Sequence, residues 1–224
     1  MKKIISLFLV VLCVFSMFSC AKDDGENNND QSGNSENTVT ALDKVNGIID
    51  DSLATRIVTH VDYTYGGETF KGRYTTQIDR ASDKSQFDFS YQRLAIPGED
   101  VSDSHIKTIA GTVYYKNGEV SSNKGANWQT LGSGYLEFSL DFSENKLTSY
   151  EVSEDGNDIT AKVSAENSMR VFGTEIAAEG DITVTVDTNG EYLYSVTISY
   201  TAKDTGATVV VNTTYDYSIV TLNF

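Results

Sequence analysis

Few side chains in this sequence are of types that do acid–base or covalent chemistry, and their spacing works against it. Asp204-Thr205-Gly206 is a triplet that, in two copies, lets paired carboxylates share a proton for acid-dependent hydrolysis. Only one copy is present, Lys203 precedes it where an apolar residue is needed, and Asp-Thr-Gly between strands also makes an ordinary turn. Ser143 and Lys146 have Ser-x-x-Lys spacing without any Ser-Asp-Asn or Lys-Thr-Gly partner. The acidic turns at 154–158 and 187–191 lack the Gly and Glu that a calcium loop needs at its sixth and twelfth places. Two histidines, His60 and His105, and two cysteines, Cys13 and Cys20, are too little material for a zinc site or a Ser/His/Asp site. His60 falls on the polar side of its strand, where a solvated imidazole is the plain reading. The expectation is a protein that is not an enzyme and has no metal and no cofactor.

What the chain does have is aromatic surface, with 13 Tyr and 10 Phe against a single Pro. That balance suits long regular strands. Tyr63, Phe70, Tyr74, Phe87, Phe89, Tyr91, Tyr115, Trp128, Phe138 and Phe142 can all fall on one side of a sheet. Two readings follow: a plain core between sheet and helix, or a concave lining for an apolar ligand.

The elements that would position these residues come from the periodicity. Residues 39–53, VTALDKVNGIIDDSL, carry Leu42, Val45, Ile49 and Leu53 at helical spacing, with Asp43, Lys44, Asp50 and Asp51 opposite. From Thr55 the period becomes two: 55–65, then a Gly66-Gly67 turn, then 68–79 and 86–94. Residues 97–104 read as an acidic surface loop. Residues 106–122 form a hairpin marked by Asn117-Gly118, the dipeptide best suited to a type I′ turn. Further strands are expected at 135–142 and 159–165, followed by one helical turn or two within 165–173. Three strands then close the chain, 182–186, 192–200 and 207–217, with a last short one at 219–222. Short connections make antiparallel pairing the default.

The chain has 224 residues and a net charge of −15. Such a surface repels nucleic acid and anionic head groups, so neither is expected as a partner. The start, MKKIISLFLVVLCVFSMFSC, has Lys2 and Lys3, an apolar run from Ile4 to Phe18 and the small residue Ser19 before Cys20. That is the pattern of a secretory signal, too short for a comfortable membrane span. With Met17-Phe18-Ser19-Cys20 as a loose lipobox it resembles a bacterial lipoprotein signal, with Met17 standing where Leu is usual. The resemblance implies that Cys20 is acylated and anchors the mature chain, of charge −17 without the two leader lysines, on the extracytoplasmic side of a membrane. Residues 21–38 are a polar, acidic, Asn-rich tether, reaching about 20–25 Å as a random coil. Ala21-Lys22-Asp23-Asp24 resembles the Lys-acidic signal that sends some Bacteroidetes lipoproteins to the cell surface; an acidic tether is the alternative.

Within 39–224, Val113-Tyr114-Tyr115-Lys116-Asn117-Gly118 followed by Asn127-Trp128, and the hairpin 186–193, resemble the LolA-like and LppX-like half-barrel lipoproteins. The likeness is one of pattern and carries no catalytic residue. It implies a mainly β domain, an open curved antiparallel sheet with an N-terminal helix and a short second helix on its concave face. It also implies that this face holds lipid or acyl chains; soluble carriers of the group lack an acylated Cys, so a tethered chain departs from them. The expectation is therefore a non-enzymatic, membrane-anchored lipoprotein binding a lipid or apolar ligand. The alternative is a structural or adhesive surface module with a filled core.

Overall fold

The computed structural model describes residues 41–50, 53–99, 105–124, 127, 129–130, 147–165 and 177–224. Among the described residues one helix, α1 (Ala41–Asp50), precedes eleven strands. These are β1 (Arg56–Tyr65), β2 (Glu68–Asp79), β3 (Lys84–Leu94), β4 (Ile106–Lys116), β5 (Glu119–Ser121), β6 (Gln129–Thr130), β7 (Leu147–Val152), β8 (Asp158–Val163), β9 (Ile182–Thr188), β10 (Leu193–Thr201) and β11 (Thr208–Asp216).

The strands make one antiparallel sheet in the order β6-β5-β4-β3-β2-β1-β11-β10-β9-β8-β7. Two meanders, β1 to β6 and β7 to β11, therefore lie side by side and join at the β1·β11 seam. β6 and β7 are the two edges, and the sheet is open, a curved half-barrel as expected. The turns follow from their residues: Gly66 and Gly67, and Asn117 and Gly118, all have positive φ, the left-handed backbone a type I′ hairpin demands.

Register places one residue of every alternate pair on a common inner face. Across the seam run Ile159, Val186, Val196, Thr213, Thr59 and Tyr74, each directly opposite the next. Side chains directly opposite share a face, so this row and its neighbours define a single apolar surface. On the β7–β11 side it is aliphatic, and α1 lies on it through Leu42, Val45 and Ile48. Leu42 and Val45 of the stripe read from the sequence are thus buried, with Ile48 beside them, and burying each such side chain contributes about 1.5–3 kcal/mol.

Three details differ from expectation. Leu53, placed on the helix stripe by the sequence, lies outside the helix and is 62 % exposed. No strand forms at 219–222. That stretch instead clips the outer face: the Leu222 N–H donates to Asp79 Oδ2 at 3.1 Å, Lys84 Nζ donates to the Leu222 carbonyl at 3.1 Å, and Phe224 meets Tyr114 edge-on. Hydrogen bonds from Ser82 and Leu222 hold the Asp79 carboxyl below the usual carboxylate range. Third, β7 is a strand the sequence reading missed, because its middle residues are exposed and polar or aromatic at an edge. Of the region read as helical turns only residue 165 is described, and the strand expected at 135–142 lies outside the described residues.

Candidate binding face

On the β1–β5 side of the seam the inner face is aromatic. Tyr63 stands opposite Phe70, Tyr74 opposite Phe89, Phe87 opposite Val113, Tyr91 opposite Ile109, and Tyr115 opposite Ser85. Seven of the ten aromatic candidates thus share one face: Tyr63, Phe70, Tyr74, Phe87, Phe89, Tyr91 and Tyr115. Trp128, Phe138 and Phe142 lie outside the described residues, as does Cys20. Successive ring centroids in the series Tyr74, Phe87, Phe89, Tyr91 are 6.1–6.3 Å apart and inclined by 12–31°, a continuous ladder of offset rings.

Burial sorts the seven. Tyr63, Phe70, Tyr74 and Phe87 are buried, Tyr74 to 1 %, whereas Phe89, Tyr91 and Tyr115 are only half-buried. Glycines let the ladder lie close to the sheet. Gly111, directly opposite Phe89, has that ring over it so tightly that a Cβ there would come 2.6 Å from Phe89 Cζ. A side chain at 111 would push the ring out of its place.

Polar atoms on this face are few and placed inside it. Thr59 Oγ1 and Thr213 Oγ1 bond to each other at 2.9 Å across the seam. The Tyr63 hydroxyl donates to Thr205 Oγ1 at 2.9 Å, within the turn that the Asp204-Thr205-Gly206 triplet forms. The buried Thr76 Oγ1, between Ile57 and Phe87, has no partner. Burial pushes the Tyr74 hydroxyl up to about 12, with Tyr91 adding to it, and the Tyr200 hydroxyl on β10 up to about 12 for the same first reason. Both phenols stay neutral at any ordinary pH.

The sequence reading missed what stands at the end of the ladder. Arg93 continues the alternation of Phe87, Phe89 and Tyr91, so it projects from the same face, and Lys107 is its direct cross-strand partner. Both reach Glu99, which follows β3. Arg93 Nη2 and Nη1 donate to the two Glu99 carboxylate oxygens at 2.6 and 2.8 Å, and Lys107 Nζ lies 3.2 Å from Oε1. The Ile96 N–H adds a bond of 2.8 Å to the same carboxylate. These donors, Arg93 first, bring Glu99 down to about 2. Beside them His105 Nε2 meets Glu68 Oε1 at 2.6 Å. The period-two pattern alone, carried two residues past Tyr91, was the available signal.

Among the described residues no group of three or more His, Cys, Asp and Glu could hold a metal ion, and no helix is long and apolar enough to cross a membrane. His60 is exposed on the outer face, opposite Arg73 and Asn212.

No protein-family model matches the chain, and no curated protein does either. Among solved structures, it is similar to the hypothetical protein CT021 of Chlamydia trachomatis at 10 % identity, covering 82 % of this chain and 98 % of that one, with a TM-score of 0.32. It is also similar to a DUF1329 family protein of Desulfovibrio piger at 7 % identity, covering 80 % and 93 %, with a TM-score of 0.27. Scores this low speak to no shared activity.

Proposed function

We propose that the protein is a non-enzymatic bacterial lipoprotein, anchored to a membrane through acylated Cys20, whose half-barrel binds a lipid or other apolar ligand along the aromatic half of its inner face. The observation that carries the reading is the half-burial of Phe89, Tyr91 and Tyr115 on a face whose other half is enclosed by α1. Large aromatic surface left short of full burial, continuous with a packed floor, is what an apolar ligand would cover. The tether 21–38 would let such a domain work at some distance from the anchor, on the extracytoplasmic side or at the cell surface.

Native mass spectrometry of the protein gently extracted from its own cells, together with thermal shift against fatty acids, phospholipids and glycolipids, tests the reading. Binding at a hundredfold excess over Kd should stabilise the fold by about 2.7 kcal/mol. For a domain of this size that raises Tm by roughly 5–10 °C. Phe89→Glu should remain folded and lose uptake, because a carboxylate against acyl chains is costly. Cys20→Ala should move the protein to the soluble fraction, since acyl chains contribute about 0.8 kcal/mol per buried methylene. Bare protein mass with no thermal shift would favour the second reading, a structural or adhesive module. That alternative draws on the burial of Tyr63, Phe70, Tyr74 and Phe87.

A further inference from the structure

We infer that the ligand is an anionic amphiphile, its headgroup held by Arg93 and Lys107 at the rim of the inner face and its apolar chain laid on Tyr91, Phe89 and the rings beyond. The inference rests on the reading of the aromatic half as a binding face and names the chemistry of what binds there.

Three observations carry it. The first is position. Arg93 and Lys107 are direct partners on β3 and β4, on the same face as the ladder and at its end, so a chain lying on the rings brings its head to them. From Arg93 back to Phe87 is six residues, about 20 Å of strand. That is somewhat more than the ~15 Å spanned by the acyl chains of one leaflet in a hydrocarbon core of about 30 Å.

The second is charge. Among the described residues, the ion-paired cluster sets two cations on a single carboxylate, Glu99, one positive charge in excess, while Glu68 beside it is taken up by His105. This stands out in a chain of net charge −15. The overall field turns away anionic surfaces, but it is screened beyond about 8 Å at physiological salt. A headgroup delivered along the apolar face meets the local pair instead. The cluster is also sheltered, with side-chain exposures of 19 % for Arg93, 23 % for Glu99 and 31 % for Lys107, so its charges are felt more strongly than those of an open surface pair.

The third is geometry. The Arg93 fork already holds a carboxylate through two parallel bonds, the arrangement that suits a carboxylate or phosphate headgroup. Glu99 marks where such a group fits. An incoming anion either takes a place beside it on Lys107 or displaces it from the fork. A neutral headgroup would gain nothing from the excess charge.

Oleate and oleyl alcohol, which share one chain and differ in headgroup charge, separate the claims when each is titrated below its aggregation concentration. The full chain with Cys20→Ala serves as common background, so that no acyl group of its own competes. Oleate should bind roughly tenfold more tightly than oleyl alcohol. Lys107→Gln should erase that preference by weakening oleate binding, and Glu99→Gln, which removes the competing carboxylate, should widen it. Circular dichroism checks that both variants are folded. Equal affinities for the two ligands, unmoved by either substitution, would overturn the headgroup assignment and leave lipid binding standing. Binding of neither would remove both.

Discussion

On the β7–β11 side of the seam, Ile159, Ala161, Val163, Ile182, Val184 and Val186 have no solvent exposure, and α1 lies over them. On the β1–β5 side the same face carries rings, and of these only Tyr74 approaches that degree of enclosure. β-branched residues interdigitate at high density and leave no room for a guest. Flat rings with glycines beneath them, as at Gly111 under Phe89, present broad surface that can be covered without repacking. One continuous sheet thus has a half that is fully enclosed and a half whose rings stay partly open, the half on which the proposed binding rests.

The sharpest way to break this comparison is to place the same charge in each half. Val184→Asp puts a carboxylate where no water reaches, at a cost of about 4 kcal/mol or more, comparable to the whole stability of a domain. It should fail to give a cooperative thermal transition. Phe89→Glu, in the half-buried region, should still melt cooperatively. Unfolding by both would mean that the aromatic half is core as well.

A smaller effect isolates the helix. Leu42→Ala removes a buried side chain from α1 at the aliphatic surface and should cost about 2–5 kcal/mol in chemical denaturation. Lipid affinity should hold constant, because the ladder is not what α1 covers. A loss of binding in proportion to the loss of stability would show that the helix acts as a lid on both halves.

Much of this division was written in the sequence, because strands announce their faces by alternation. Phe87, Phe89 and Tyr91 had to share a side, and Gly66-Gly67 and Asn117-Gly118 had to be turns. β2 was legible to its ends, since Phe70, Tyr74 and Ile78 keep phase between two turn segments. The stripe of α1 said that it must lie on a sheet and could not say on which half, for that choice depends on long-range pairing across the β1·β11 seam. β7 escaped notice because its burial comes mainly from end residues, Leu147 and Val152, with Thr148 to Glu151 exposed between them. The Arg93–Glu99–Lys107 cluster escaped for a different reason. The reading stopped at Tyr91 although period two carries on to Arg93, and nothing local says that a loop carboxylate folds back onto it.

Gly111→Ala should sharpen the picture of the ladder. The added methyl would meet the Phe89 ring, which must tilt toward the open side, at a cost of roughly 1–3 kcal/mol. Near-ultraviolet circular dichroism, sensitive to ring packing, should change while the far-ultraviolet spectrum does not. An unchanged near-ultraviolet signal would mean that the rings are loose rather than seated.

The smallest effect concerns the outer face, where the halves contrast again. On β3, Asp88 accepts from Gln86 and from Thr112 at 2.7 Å, so its charge is fully used. On β9, Asp187 stands directly opposite Asp158, and burial first, then that neighbouring carboxylate, pushes its pKa above the usual value. Like charges directly opposite on a sheet are destabilising, by about 0.2–1 kcal/mol. Asp187→Asn should therefore raise Tm at pH 7 by roughly 1–3 °C. The sign follows from linkage: a carboxyl whose folded pKa is raised binds its proton more readily in the native state. The wild type therefore gains stability on the variant as pH falls through that raised value. Below the unfolded value, about 3.9, the advantage of the Asp187→Asn variant should have vanished. Melting both proteins at pH 7 and at pH 3 checks this. A benefit that survives at pH 3 would mean that packing, not the charge of Asp187, had limited the aliphatic half at this position.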